Sequence, residues 1–165
     1  MSEASDTPPE RRSPAEEARL VAAITDLFER RIVFNEFLGF RIESLESGCV
    51  RVGFGMRPEL VGHFLHGRLH GGVIAAVLDV VGGLATMRAI ADYHAHESSA
   101  AILRRFAHLG TIDLRVDYLR QGIGARFVAE GEVVRLGRRI AASAMRLEND
   151  GGTLLATGNA TYIVS

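Results

Sequence analysis

The sequence predicts an α+β fold in which a curved antiparallel sheet wraps around one long central helix. Three observations carry that reading. HGGVIAAVLDVVGGLATMRAI, residues 70–90, is apolar on nearly every helical face, so its helix belongs in an interior rather than on a surface. Strand-like runs follow it at 111–120, 125–136, 138–148 and 153–164, separated by Gly122, Gly124, Gly137 and the END-GG turn at 148–152. Two further runs, 40–46 and 49–56, precede it as a hairpin across Ser47-Gly48. The order of helix, hairpin, buried helix and antiparallel strands is that of one two-layer domain.

The elements follow in chain order. Residues 1–14 carry Pro8, Pro9 and Pro14 among charges and read as a disordered tail, leaving 15–165 as a single domain. Ser13 can cap a helix, Pro14 suits its first turn, and Glu16 and Glu17 favour its positive end. Leu20, Ile24, Leu27 and Phe28 recur at helical spacing to about Arg31. FNEFLGF leads into the hairpin, and 58–69 is a loop holding Gly62, His63, His66 and Gly67. A membrane span is the rival reading of the central segment. The run from Val73 to Met87 is too short for one, and Asp79 and Gly82-Gly83 also oppose it. Small residues on that helix (Ala75, Ala76, Gly82, Gly83, Ala85) imply room beside it. Residues 91–110 are mixed, with a short helix or lid expected and His94, His96 and His108 solvated.

Composition narrows the function. The chain has 165 residues, 47% of them hydrophobic, enough for one core. Nineteen basic and twenty acidic residues give a net charge of −1, which argues against a nucleic-acid binder or a polybasic membrane anchor. Every basic residue is arginine; without lysine there is neither a Schiff base nor a Walker-type phosphate loop. Cys49, the single cysteine, excludes an internal disulfide and reads as a small buried hydrophobe. The opening MSEASDTPPERRSPAEE has no apolar stretch of the signal type, so a cytoplasmic location is expected.

One carboxylate stands out. Asp79 lies among Val77, Leu78, Val80 and Val81, where an unpartnered charge costs several kcal/mol. Nine residues into the helix it is too deep to be a cap, so a backbone-bonded carboxylate or a chemical role remains. Nine steps of about 100° put it on the face opposite His70, about 13 Å along the axis. If His70 and Asp79 act on one substrate atom, they come from two copies of the chain.

HGG, six residues and then Asp resembles the hotdog-fold acyl-CoA thioesterases of the phenylacetate-pathway and 4-hydroxybenzoyl-CoA type. Gly67, three residues before the histidine, TIDLRVDYLR at 111–120, VVRLGR at 133–138 and the closing GGTLLATGNATY fit the same family, so the resemblance covers about residues 33–164. It implies a dimer or tetramer that hydrolyses acyl-CoA, with coenzyme A as part of the substrate and no separate cofactor. The Gly71 N–H, with Gly72 beside it at the helix start, would polarise the thioester carbonyl. His70 would orient that carbonyl or support the first turn. Asp79 of the other copy would be general base or nucleophile. Thr111 would hold Asp79 or the water, or is an ordinary β-branched strand residue. The family usually places an amide side chain six residues before the histidine; here that residue is Phe64, with His63 or His66 as substitutes. Arg138 and Arg139 are candidates for the phosphates of coenzyme A.

No metal is expected at His63, His66 and His70, because Gly62 and Gly67 break any helix that would align them and no cysteine joins them. Two rival functions remain, a non-catalytic acyl-CoA binding module and an enoyl-CoA hydratase or dehydratase on the same fold.

Overall fold

The computed structural model describes residues 11–165. Residues 1–10, most of the expected tail, lie outside the described residues. Helix α1 (Pro14–Asp26) starts as its sequence implies, with the Ser13 side chain accepting the Glu16 N–H and Pro14 in the first turn. The helical spacing toward Arg31 continues differently from expectation, as a π-turn over Leu27–Arg31. That wider turn accompanies a buried Glu29, whose carboxylate accepts the Ile42 N–H at 2.7 Å. Helix α2 (Val33–Leu38) occupies the segment read only as a lead-in; Gly39, at φ +72°, ends it.

Strands β1 (Arg41–Glu46) and β2 (Cys49–Gly55) form the expected hairpin. The expected loop at 58–69 holds more structure than its glycines indicated: a 3₁₀ turn at Pro58–Leu60, then the small hairpin β3 (Val61–His63) and β4 (Arg68–Leu69). Helices α3 (Gly71–Tyr93) and α4 (Ser99–Phe106) come next, then strands β5 (Gly110–Tyr118), β6 (Arg126–Leu136), β7 (Ile140–Asn149) and β8 (Leu154–Ile163). The main sheet is antiparallel throughout, in the order β1-β2-β6-β7-β8-β5. Strand β5 follows α3 but pairs with β8, which places it at the sheet edge.

The sheet accounts for the composition of α3. Val77, Leu78, Val81, Leu84 and Met87 are 0% exposed. Burying each such side chain contributes about 1.5–3 kcal/mol. Length and composition would let α3 cross a membrane, but 61% of its most apolar stretch is buried inside the fold. Of the small residues expected to leave room beside α3, Gly82 instead allows close approach to the sheet. A Cβ on Gly131 of β6 would lie 2.8 Å from the Val81 carbonyl, and one on Gly82 would lie 2.3 Å from the Tyr162 hydroxyl. The buried Thr86 hydroxyl bonds the Gly82 carbonyl at 2.9 Å and Ser143 Oγ of β7 at 3.0 Å, so polar groups in this contact are satisfied. One stripe of α3 (Val73, Ala76, Val80) stays half-buried. Cys49 departs from expectation: it is exposed on the sheet.

The C-terminal end of α3 is closed by a residue from far away in sequence. The Arg12 side chain, 4% exposed, donates to the carbonyls of Ala91 (2.6 Å), His94 (2.8 Å) and Glu97 (3.2 Å) and to Glu17 (3.0 Å). Helix-end carbonyls lack intrahelical donors and carry the negative end of the dipole, so a guanidinium is well matched to them. Replacing Arg12 by Ala is expected to lower the unfolding free energy by about 2–3 kcal/mol, since charged hydrogen bonds to buried acceptors are lost. Urea titration at unchanged m-value measures it. A loss below about 0.5 kcal/mol, the scale of ordinary surface substitutions, would show that water replaces the guanidinium without cost.

Candidate active site

Two groups of the sequence-derived residues are assembled at separate points along α3. The first lies at the helix start. His70 is the N-cap, with φ −67° and ψ 136°, and its Nδ1 accepts the Gly72 N–H at 2.8 Å. That bond occupies one of the free donors of the first turn. The Gly71 N–H has no hydrogen-bond partner among the described residues. A cavity of about 330 Å³ adjoins it, lined by His63, His70, Gly71, Tyr118 and Arg120 among others. The Tyr118 hydroxyl donates to the Gly71 carbonyl at 3.0 Å and so fixes the peptide at this end of the helix. His63 is stacked on both Phe64 (5.9 Å) and His66 (4.8 Å). Phe64 itself is 87% exposed at the tip of the β3–β4 hairpin.

The second group surrounds Asp79, which is half-buried. Thr111 Oγ1 donates to Asp79 Oδ1 at 2.9 Å. The Tyr162 hydroxyl lies 2.8 Å from the Asp79 carbonyl and 3.2 Å from Oδ1. Thr111 and Tyr162 are directly paired across β5 and β8, so two neighbouring strands aim hydroxyls at one carboxylate. A register shift between Thr111 and Asp113 marks a bulge at this point, a device that re-aims a side chain next to a site. Asp79 Oδ2 accepts no hydrogen bond among the described residues.

Tyr162 is the residue that sequence reading missed. Burial, then the charge of Asp79 and its hydrogen bond, push the ionisation of Tyr162 far above the ordinary tyrosine range. A signal for it existed: Ala156, Gly158 and Ala160 form the inward series of β8, and a tyrosine at the next inward position needs a hydroxyl partner. Gly82, one helical turn beyond Asp79, supplies the space.

The remaining candidates are dispersed. Arg138 lines a different cavity, near the C-terminal end of α3, and Arg139 does not line it. His94, His96 and Glu97 hold donor atoms within 4.8 Å of one another, but the Glu97 carboxylate is bonded to Arg105 at 2.5 and 2.8 Å, so a cation there would have to displace a guanidinium. The Cys49 thiol is raised by partial burial and by Glu130 and Glu132, which disfavours a thiolate nucleophile.

A long helix wrapped by this six-stranded sheet, with a capped glycine start and a hydroxyl-held carboxylate, defines a hotdog domain. The chain belongs to the thioesterase superfamily, whose family model matches residues 66–156. It is 37% identical over 141 residues to the medium/long-chain acyl-CoA thioesterase YigI of Salmonella typhimurium, covering 86% of this chain and 91% of that protein. The YigI protein of Escherichia coli K12 matches to the same extent. Among solved structures, a protein from Shewanella oneidensis related to the thioesterase superfamily superposes with a TM-score of 0.87 at 38% identity, covering 93% of this chain and all of that one. A thioesterase family protein from Silicibacter pomeroyi gives 0.68 at 26% identity, with coverages of 87% and 96%.

The raised ionisation of Tyr162 makes a stability prediction whose sign is fixed. An unfolded tyrosine releases its proton near pH 10, whereas the folded one retains it. Stability from this group is therefore complete below about pH 10 and falls as pH rises further. The chain has no lysine and only three tyrosines, so few other groups titrate in that range. Melting temperature between pH 8 and 11.5 is expected to fall more steeply for the wild-type protein than for Tyr162→Phe. Parallel curves would show that this hydroxyl ionises as easily folded as unfolded.

Proposed function

We propose that the chain hydrolyses acyl-CoA thioesters to a free carboxylic acid and coenzyme A, at a reaction centre shared by two copies. The observation that carries this is Asp79, an acid in an apolar helix, steadied through Oδ1 by Thr111 and Tyr162 while Oδ2 stays available. Oδ2 takes a proton from water, or attacks the thioester itself; either route uses the same oxygen. In the first route the water oxygen bonds to the acyl carbon, the C–S bond breaks, and the proton collected by Asp79 passes to the leaving thiolate. The Gly71 N–H, at the positive end of α3, stabilises the oxyanion formed on the way. His70 acts by holding the first turn so that this N–H faces outward from the helix.

Sharing between copies rests on β5. Its first residues hold Asp79 and its last touches Gly71, and one side of the strand lies at the sheet edge. A two-fold axis through the middle of β5 pairs it antiparallel with its copy, which brings the Thr111 end of one strand to the Tyr118 end of the other. The half-buried stripe of Val73, Ala76 and Val80 and the exposed Ile112, Tyr118 and Leu119 supply apolar surface for that contact. Asp79 of one copy then stands beside Gly71 of the other, bridging the separation of about 13 Å that one helix imposes. The activity printed for YigI makes medium and long acyl chains the first substrates to test. Phe64, stacked on His63 where the family carries an amide, places an aromatic surface rather than a hydrogen-bond donor on that hairpin.

Thiol release from a panel of acyl-CoAs tests the reaction, and Asp79→Asn is expected to reduce kcat by about 10²–10⁴-fold. Retained turnover in that variant, or hydration of enoyl-CoA without thiol release, would overturn the reading.

Sharing has a separate test. Gly71→Pro removes the N–H at a helix position that accepts proline, and His70 already has the backbone that precedes one. Each variant alone is expected to be nearly inactive. After unfolding and refolding together in equal amounts, they should recover about a quarter of wild-type activity, because half of the dimers are mixed and each mixed dimer has one intact site. No recovery would place both groups in one copy.

A further inference from the structure

The turn that joins α3 to α4 gathers three metal-ligand side chains at a point remote from the chemistry above. His94, His96 and Glu97 stand at i, i+2 and i+3, and their donor atoms all lie within 4.8 Å of one another. Two imidazoles and a carboxylate are a ligand set that zinc takes, with water in the fourth position. At zinc bond lengths of about 2.0–2.2 Å, two ligand atoms at a tetrahedral angle stand about 3.4 Å apart. His94 Nδ1 and Glu97 Oε1 are already 3.2 Å apart. The His96 ring is exposed, so it can rotate toward them without disturbing the core.

The backbone that carries these side chains is held in place. The Glu97 N–H donates to the His94 carbonyl at 2.9 Å, and the His94 N–H to the Ile90 carbonyl at 3.0 Å. Arg12 adds three bonds, from its backbone N–H to the Ala95 carbonyl (2.7 Å) and from its guanidinium to the carbonyls of His94 and Glu97. Glu17 balances the charge of that guanidinium. A turn fixed in this way loses little further freedom when its side chains close on an ion, which favours binding.

One group competes for the carboxylate. Arg105 of α4 holds Glu97 through two hydrogen bonds, of 2.5 and 2.8 Å. The two side chains are 40% and 20% exposed. Ion pairs this open to water shift an equilibrium by at most about fivefold. An ion bound by three protein ligands gains far more than that. The cavity of about 570 Å³ that both His94 and Arg105 line leaves the guanidinium room to turn away and lets water reach the ion.

We propose that His94, His96 and Glu97 bind a divalent transition-metal ion, zinc by their ligand chemistry, in exchange for Arg105. The ion closes the turn after α3, where the negative end of the helix dipole favours positive charge. The site is independent of the thioester chemistry at Asp79 and Gly71.

Calorimetry with zinc chloride tests the site in the full chain and in His96→Gln, Glu97→Gln and Arg105→Ala, each checked for fold by circular dichroism. One zinc ion per chain at about micromolar affinity is expected for the wild-type protein. His96→Gln and Glu97→Gln are expected to weaken binding by at least about tenfold, the loss that even outer partners of a metal site incur. Arg105→Ala is expected to tighten it by about fivefold, because the competitor is gone. Zinc should raise the melting temperature of the wild-type protein and of Arg105→Ala more than that of His96→Gln. Magnesium should give no saturable heat, because imidazole ligands disfavour it. No saturable zinc binding below about 0.1 mM overturns the proposal. So does equal binding by the wild-type protein and His96→Gln, or binding that is lost instead in His63→Gln/His66→Gln. Binding that is unchanged or weaker in Arg105→Ala shows that the guanidinium does not compete for Glu97, and overturns it as well.

Discussion

The carboxylate of Asp79 is the constraint around which the rest of this fold is arranged. A charge inside an apolar helix is costly unless hydrogen bonds compensate it. Here compensation comes from outside the helix, through Thr111 and Tyr162 on adjacent strands. Gly82 must lack a side chain so that the tyrosine reaches the helix, and a register shift in β5 lies directly beside the threonine. The pairing of β5 with β8 sets Thr111 opposite Tyr162, so both hydroxyls reach the same carboxylate.

Much of this was legible in the order of residues. The apolar α3, the strands that follow it and the hairpin before it fall within three residues of their expected places. Each carries a strong periodic or turn signal, and burial reinforces it. Asp79 was identified because a buried acid requires compensation, Thr111 only because the resemblance implied it, and the structure brings them to 2.9 Å. His70, Gly71 and Gly72 lie at the helix start because the Gly-Gly pair follows a residue able to cap it.

What escaped the sequence depends on long-range packing. The π-turn at Leu27–Arg31 follows the burial of Glu29 against Ile42, a contact thirteen residues away that helical spacing does not encode. Helix α2 buries Asn35 and Leu38 while leaving Val33, Phe34 and Phe37 exposed, which blurs its amphipathic pattern. Cys49 alternates outward on β2, and hydrophobicity alone assigned it to the interior. Arg12 was read as part of a tail because its partners are carbonyls more than seventy residues later.

The edge strand has an evolutionary consequence. An open row of backbone donors and acceptors can template misassembly with any extended chain, and proteins usually guard such rows with charge, proline or a cover. Strand β5 carries Ile112, Leu114 and Val116 among only three charged residues, so in the proposed dimer its guard is self-association. In that dimer, drift that loosens this strand would harm solubility and turnover at once. Selection for catalysis would then also keep the free monomer from accumulating as a nucleus for aggregates.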